Sequence, residues 1–207
     1  MNEFKISDHP HRRFNPLNGK WVLVSPHRTQ RPWQGAEESE SSENKPKYDP
    51  ECYLCPRNER AGGTVNPDYD STYVFNNDFA ALLPDTPDST DDGSVFFQAK
   101  PVRGTSRVIC FSPRHDLTLP EMKVEDIGKV IQLWIDQYSE LSQDYTWVQI
   151  FENKGEIMGC SNPHPHGQIW ASDQLPNEAV DEDKNQAKYY AKNDSVLLLD
   201  YVKSELS

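Results

Sequence analysis

Residues 162–170 read Asn-Pro-His-Pro-His-Gly-Gln-Ile-Trp, so that a proline separates two histidines. Pro165 has its φ fixed near about −65° and biases His164 toward extended backbone. In extended backbone, side chains two residues apart lie on the same side of the chain. His164 and His166 are therefore expected to face one pocket, with Gln168 next on that side. The segment predicts an extended stretch that leads into a strand.

Gly167 lies between the second histidine and this glutamine. It has no Cβ, so a bulky ligand could approach the backbone there. Gln168 offers an amide donor and an acceptor. Paired histidines beside prolines also occur in surface loops, so the segment alone defines no site. It gains weight from a candidate metal site formed by residues far away in the sequence.

Composition narrows the class of protein. The 207-residue chain suits one domain, or one domain with long loops. Its formal net charge of −12 argues against a nucleic-acid partner, because phosphate binding needs a basic face. No apolar run typical of a signal peptide occurs in residues 1–13, and no stretch approaches the roughly 20 apolar residues that span a bilayer. A cytoplasmic protein without a membrane partner is expected, in which the cysteines stay reduced.

Apolar periodicity predicts an α+β fold, an antiparallel sheet with one main packed helix. The helix is predicted over residues 123–143, where an apolar stripe at helical spacing indicates core packing. A second helix could begin within 176–192, and 195–206 is predicted as helix or strand. The predicted strands are 21–25, 72–75, 105–111, 147–151 and 168–172.

Three stretches are predicted to lie outside this sheet. Residues 9–20 are predicted to form an extended arm that ends in an Asn-Gly turn. Residues 36–50 and 84–94 are acidic and contain serine and proline, which is typical of mobile surface loops.

Cys52 and Cys55 have the Cys-x-x-Cys spacing of a two-thiolate zinc knuckle. The sequence has no second such pair, so further ligands would have to be histidines from elsewhere. His115 follows a Ser-Pro-Arg turn and His164 lies in the proline-flanked segment, which makes a Cys₂His₂ site chemically reasonable. The alternative is a pair of loop cysteines without a metal, and the spacing does not decide between the two. Cys110 lies in an apolar strand and is expected to be an inert buried thiol.

If His164 binds a metal, His166 beside it keeps a neutral imidazole. Such a ring can act as nucleophile, general base or ligand. The alternative is an unused histidine in a polar loop.

Several segments together resemble the galactose-1-phosphate uridylyltransferase family, a branch of the histidine-triad superfamily. The most specific is SNPHPHGQIW at 161–170, which is that family's signature. The resemblance extends along essentially the whole chain, and it implies an antiparallel sheet of the half-barrel, histidine-triad type. The other segments that carry it are DHPHRR at 8–13, WVLVSPHR at 21–28, RPWQG at 31–35 and RGTSRVICFSP at 103–113.

The resemblance implies a ping-pong nucleotidyltransferase of galactose metabolism. His166 would attack the α-phosphorus of UDP-glucose, and the uridylyl-His166 intermediate would pass UMP to galactose 1-phosphate. Gln168 stands where triad hydrolases carry a third histidine, and would hydrogen-bond the phosphoryl oxygens. Arg28 and Arg31 would supply cationic donors to the phosphoryl group. In the family this arginine loop reaches the ligand from a partner subunit, so a homodimer is implied.

The resemblance also assigns ligands by position. Zinc would be held by Cys52, Cys55, His115 and His164, and would keep the nucleophile strand in place without taking part in the chemistry. Contacts to the nucleotide and the sugar are implied for Ala61, Asn77, Asp78, Asn153 and Ser161. Read alone, the segment 76–79 would predict an ordinary Asx turn.

Family chains are markedly longer and contain a second, similar half, which is absent here. Glu182 matches the one carboxylate of a second metal site, often iron, whose histidines lie in that other half. Iron is therefore expected only in a full-length protein, and read alone Glu182 is one solvated acid in an acidic run. The apolar residues at 196–202 are consistent with a truncated chain.

Two other functions stay open on sequence grounds. An adenylyl-transferring or nucleotide-hydrolysing relative would share much of the 161–170 motif, although the missing third histidine argues against a hydrolase. A non-catalytic zinc-binding module would bind metal and form no covalent nucleotide adduct.

Overall fold

The computed structural model describes residues 3–30, 32, 45–89, 94–155, 158–159 and 162–207. The chain divides into two compact units, one of residues 1–41 with 175–207 and one of residues 42–174. Within the described ranges it forms six strands and three α-helices, which confirms the α+β prediction. The predicted mobile loops fall partly outside these ranges, and their mobility stays a prediction.

The first unit opens with a hairpin that the sequence analysis missed. Strand β1, His11–Asn15, pairs antiparallel with β2, Lys20–Val24. Gly19 closes the turn with φ +70° and donates its N–H to the carbonyl of Asn15 at 2.9 Å. Phe14 and Trp21 face each other across the strands at 5.2 Å between ring centroids. The predicted arm is therefore half of a hairpin, because this pair and the turn fix its register.

Two helices complete the first unit. They are α2, Asn177–Asn193, and α3, Leu197–Glu205, so the stretch predicted as helix or strand is a helix. No helix in the described ranges combines the length and apolarity that a membrane crossing needs.

The second unit contains a four-stranded antiparallel sheet in the order β3-β4-β6-β5. Its strands are β3 Tyr73–Asn76, β4 Gly104–Cys110, β5 Trp147–Phe151 and β6 His166–Ser172. Strand β6 is central and begins at His166, two residues earlier than predicted. Cys110 lies opposite His166 in the register, so the last residue of β4 meets the first residue of β6.

Helix α1, Val124–Leu141, packs its Val130 and Leu141 into the core formed with β4 and β6. The predicted stripe is only partly buried, because Ile131, Ile135 and Tyr138 on it are exposed. Gln137, which the apolar pattern leaves out, is buried instead.

A polar network explains why Gln137 faces the sheet while part of the apolar stripe of α1 is exposed. Arg107 on β4 donates from Nη1 to Gln137 Oε1 at 2.5 Å and from Nη2 to Glu140 Oε1 at 2.7 Å. These charge-assisted bonds hold the 137–140 turn against the sheet. An apolar periodicity cannot report such a partner on another element.

Gly167 is required by packing, not by ligand access. A Cβ there would lie 2.8 Å from Phe111 Cζ and 2.9 Å from the carbonyl oxygen of Phe151. The expectation that a ligand approaches this backbone is wrong, because protein atoms fill the space.

Gly167→Ala is therefore expected to lower the free energy of unfolding by about 1–3 kcal/mol through overpacking. Urea titration followed by circular dichroism measures the change. Gly128→Ala is the control, because Gly128 lies in α1 with no atom within 4 Å of a built Cβ. It is expected to stabilise by up to about 1 kcal/mol, since alanine is the better helix former. Equal stability of the two variants would contradict the packing role of Gly167.

Candidate metal centre and adjoining pocket

The Cys-x-x-Cys loop is held by its own backbone and by two asparagines. Cys55 N–H donates to Cys52 O at 3.1 Å, and Leu54 N–H points at Cys52 Sγ at 3.4 Å. Asn58 Nδ2 donates to Cys52 O at 2.7 Å, and the buried Asn66 donates from Nδ2 to Cys55 O at 3.0 Å. These bonds hold the loop in a defined shape.

Four predicted ligands come together at this loop. Cys52, Cys55, His115 and His164 are all buried, and one ligand atom from each lies within 4.8 Å of the others. The ends of β4 and β6 adjoin in the sheet, which brings the two histidines near each other. Among the described residues, no other group of three or more His, Cys, Asp or Glu side chains could hold a metal ion. Glu182 is therefore not part of a candidate metal site within those residues.

Two of the separations fit a tetrahedral zinc ion. Cys55 Sγ lies 3.5 Å from His164 Nδ1 and 3.7 Å from His115 Nδ1. Zinc–sulfur and zinc–nitrogen bonds of about 2.3 and 2.0–2.1 Å in a tetrahedron place sulfur and nitrogen about 3.6 Å apart. Two thiolates and two imidazoles are also a ligand set that structural zinc takes.

Burial lowers the pKa values of His115 and His164, which favours the neutral form that binds a metal. It lowers the pKa of His164 to about 4, and the neighbouring His115 ring acts in the same direction. Burial also lowers the pKa of His115, against the opposing effect of Asp49. Both rings are therefore neutral near pH 7, which is the form that binds a metal. Burial raises the pKa of the Cys55 thiol to about 12, so a bound cation has to displace its proton.

A cavity of about 370 Å³ lies beside this group, with His166 and Gln168 of β6 in its wall. Asn77, Asp78 and Ala61 add further polar atoms and backbone. The rest of the lining is mostly apolar and comprises Tyr53, Leu54, Phe75, Phe79 and Val108. A concave, largely apolar pocket with a few converging polar groups is typical of a small-ligand site.

His164 and His166 do not share this pocket, so that prediction is wrong. His164 lies in a bend before β6, with only 1% of its surface exposed, and faces the Cys₂His₂ group. The alternation of sides begins only where the strand begins, at His166. It then holds for His166 and Gln168, which line the same cavity.

The orientation of His166 is set by its neighbour. His166 Nδ1 lies 2.7 Å from the carbonyl oxygen of His164. A carbonyl can only accept, so Nδ1 carries the proton and the lone pair of the neutral ring is on Nε2. This tautomer suits Nε2 to nucleophilic attack.

Of the other residues predicted to contact the substrate or a second metal, the structure places some at the cavity and others away from it. Asn77 Oδ1 accepts from Phe79 N–H at 2.9 Å, which is the predicted Asx turn. Asn153 follows β5 half-buried and is not among the residues that line the cavity. Arg28 is exposed in a short 3-10 helix, Pro26–Gln30, and Glu182 is half-buried in α2, both in the first unit. Arg31 and Ser161 lie outside the described residues.

Arg60 is a functional candidate that the sequence analysis missed. Its guanidinium is buried, stacks 3.8 Å from the Phe75 ring centroid, and places Nε 3.5 Å from Asp78 Oδ2. Among the described residues its Nε and Nη1 have no hydrogen-bond partner. The cation thus lies behind the cavity wall and holds the Asp78 carboxylate from there.

The family described as "Galactose-1-phosphate uridyl transferase, N-terminal domain" matches residues 2–176. The chain belongs to this family. The sequence resemblance is thereby confirmed, and the match includes the whole Cys₂His₂ group and every residue that lines the cavity.

Curated relatives carry the same family name. "Galactose-1-phosphate uridylyltransferase" of Haemophilus influenzae is 58% identical over 204 residues, which cover 99% of this chain and 58% of the relative. The protein of the same name from Rattus norvegicus is 49% identical over 98% of this chain and 54% of its own length. The chain therefore spans little more than half the length of these relatives.

Solved structures share the fold. A structure described as "Structure of uridylyltransferase" is 25% identical, with a TM-score of 0.62 over 93% of this chain and 55% of the other. An ADP-glucose phosphorylase from Arabidopsis thaliana, with bound ADP-glucose, has a TM-score of 0.64 at 21% identity, over 91% of this chain and 56% of its own. The second likeness shows the fold alone.

Proposed function

We propose that this chain is the N-terminal part of a nucleotidyltransferase that moves UMP from UDP-glucose to galactose 1-phosphate. One observation carries the proposal. His166 lines a cavity in the tautomer that suits nucleophilic attack, on the same strand face as Gln168 and beside Asn77 and Asp78.

The first half-reaction forms a bond from His166 Nε2 to the α-phosphorus and breaks the bond from that phosphorus to glucose 1-phosphate. The ring becomes positively charged as it takes up the uridylyl group. The His164 carbonyl, already bound to Nδ1–H at 2.7 Å, stabilises that charge. In the second half-reaction an oxygen of galactose 1-phosphate attacks phosphorus, and the nitrogen–phosphorus bond breaks.

Gln168 follows on the same strand face and can donate its amide N–H to the phosphoryl oxygens. The amide holds no titrating proton, so it positions the group without acting as a general acid toward water. Asp78 is an acceptor suited to ligand hydroxyls, and Phe75 offers an apolar surface to a base. Ala61 would add backbone or shape.

The metal group ties the Cys-x-x-Cys loop to the ends of β4 and β6. Zinc, when bound, supplies a structural cross-link. Cys52, Cys55, His115 and His164 would hold it, next to the strand that presents His166.

The contacts that the structure leaves untested belong to the same proposal. They are Arg28, Arg31, Asn153 and Ser161 at the substrate and Glu182 at a second metal, often iron, completed by the other half. A cytoplasmic homodimer, with the arginine loop reaching across, is the assembly that this proposal requires.

Intact-mass spectrometry after incubation with UDP-glucose tests the reaction. The 207-residue chain is used alone and together with the remaining C-terminal part of the Haemophilus influenzae relative. We expect a gain of one UMP that is lost in acid, as a phosphoramidate is, and that galactose 1-phosphate discharges faster than water does. Absence of an adduct in both preparations would overturn the proposal.

The alternative functions give different outcomes in the same assay. A larger adduct yield with ADP-glucose than with UDP-glucose would indicate adenylyl transfer. Discharge by water as fast as by galactose 1-phosphate would indicate a hydrolase. Metal binding without any adduct would indicate a zinc-binding module.

A further inference from the structure

Tyr69 is a buried tyrosine that lies between the Cys-x-x-Cys loop and the segment before β6. Its hydroxyl oxygen is 2.5 Å from the carbonyl oxygen of Leu54 and 3.1 Å from His164 Nε2. We propose that Tyr69 is a positioning residue that fixes the tautomer of His164, and so decides which ring nitrogen faces the metal. The inference stands on the Cys₂His₂ group and does not depend on the proposed reaction.

The proton count of the three groups leads to this assignment. A tyrosine hydroxyl has one proton, and a backbone carbonyl can only accept. The short contact with Leu54 O therefore uses the Tyr69 proton. The bond to His164 then needs a proton on Nε2, because the hydroxyl oxygen is the acceptor there.

A neutral His164 ring with its proton on Nε2 has its lone pair on Nδ1. Nδ1 is the atom that faces Cys55 Sγ, at 3.5 Å. His115 shows the same arrangement, with Nδ1 toward Cys55 and Nε2 3.8 Å from Asp49 Oδ2. At His164 the ring nitrogen that does not face the metal group thus has a hydrogen-bonded oxygen partner, which is how outer partners orient metal ligands in proteins.

Tyr69 also reaches the nucleophile through the same residue. The His164 ring is anchored by Tyr69, and the His164 carbonyl accepts from His166 Nδ1 at 2.7 Å. Leu54, the other partner of Tyr69, lies between the two cysteines and lines the cavity. The Tyr69 hydroxyl therefore connects the Cys-x-x-Cys loop to the predicted metal ligand His164. Through the His164 backbone carbonyl it is also connected to His166.

Tyr69→Phe removes only this hydroxyl. Tyr73→Phe is the matched control, because Tyr73 stacks on Tyr69 at 5.0 Å between centroids and lies outside the metal group. Affinity for Co²⁺ and Zn²⁺ is measured by competition with a chromophoric chelator. Tyr69→Phe is expected to bind both ions about 10–100-fold more weakly, as is usual when an outer partner of a ligand is lost. The d–d bands of bound Co²⁺ should shift or weaken, whereas Tyr73→Phe should match the wild type in both measurements.

The tautomer can be read without any metal. Nitrogen-15 NMR of the metal-free wild-type chain at neutral pH is expected to show His164 protonated on Nε2. A proton on Nδ1 instead would overturn the proposal, and this measurement stands even if the variant does not fold. Unchanged cobalt affinity and an unchanged cobalt spectrum in Tyr69→Phe would overturn it as well.

Discussion

His166→Ala is expected to form no UMP adduct with UDP-glucose and to lower kcat by roughly 10⁶-fold, as removal of a nucleophile does in covalent enzymes. The reason is that, in the proposed mechanism, His166 Nε2 is the only protein atom that forms a bond to phosphorus. Intact mass reports the adduct, and coupled turnover of galactose 1-phosphate reports kcat. The prediction rests on the reaction that we propose.

The variant should still fold, which separates lost chemistry from lost structure. His166 is half-buried, and the loss of its hydrogen bond to the His164 carbonyl costs about 0.5–1.5 kcal/mol. His9→Ala is the matched control, because the ring of His9 bonds locally to Lys5 and lies outside the cavity lining. It should form the adduct as the wild type does. An adduct on His166→Ala at the wild-type level would mean that another residue is the nucleophile.

The side on which His166 and Gln168 lie follows from strand alternation, which depends only on the local backbone. The same rule failed for His164, since the strand does not begin until His166. The bend before it turns His164 away, and this bend is held by tertiary contacts such as Phe111 N–H to Pro165 O at 2.9 Å. A period of two is thus a reliable guide only within a strand, and its first residue is set by the neighbouring chain.

Only two of the four candidate metal ligands, the cysteines, could be predicted from local sequence. Cys-x-x-Cys spacing identifies the loop, because both thiolates lie on one short turn. The histidines 60 and more residues away were assigned by resemblance, since no local rule predicts which strand ends will meet. The structure supplies that link through the register that sets Cys110 opposite His166.

Three residues that shape the site carry no signal in their own segments. Arg60, Tyr69 and Asn66 are buried polar residues whose roles come from partners distant in sequence. A buried polar group needs such partners, and the partners are known only once the fold is known. The same holds for Gln137 in α1, where a hydrogen bond to Arg107 outweighs the apolar pattern.

Cys55→Ser is expected to abolish stoichiometric zinc binding and to lower the melting temperature on the order of 10 °C. Cys55 is fully buried, and its Sγ lies 3.5 and 3.7 Å from the two histidine nitrogens. Its loss removes a direct ligand and should weaken metal binding by more than the about 10–100-fold that an outer partner contributes. Metal analysis of the purified protein and thermal unfolding with and without a chelator measure both effects.

Ile169→Val is the matched control, because Ile169 is an equally buried side chain outside the ligand group. The smaller side chain should cost about 0.5–1.5 kcal/mol, so both variants are expected to melt below the wild type. They differ in their response to the chelator. Ile169→Val should lose further stability when metal is removed, as the wild type does, whereas Cys55→Ser has no bound ion to lose. Wild-type zinc content in Cys55→Ser would show that the cysteine pair, although well placed, does not hold the metal.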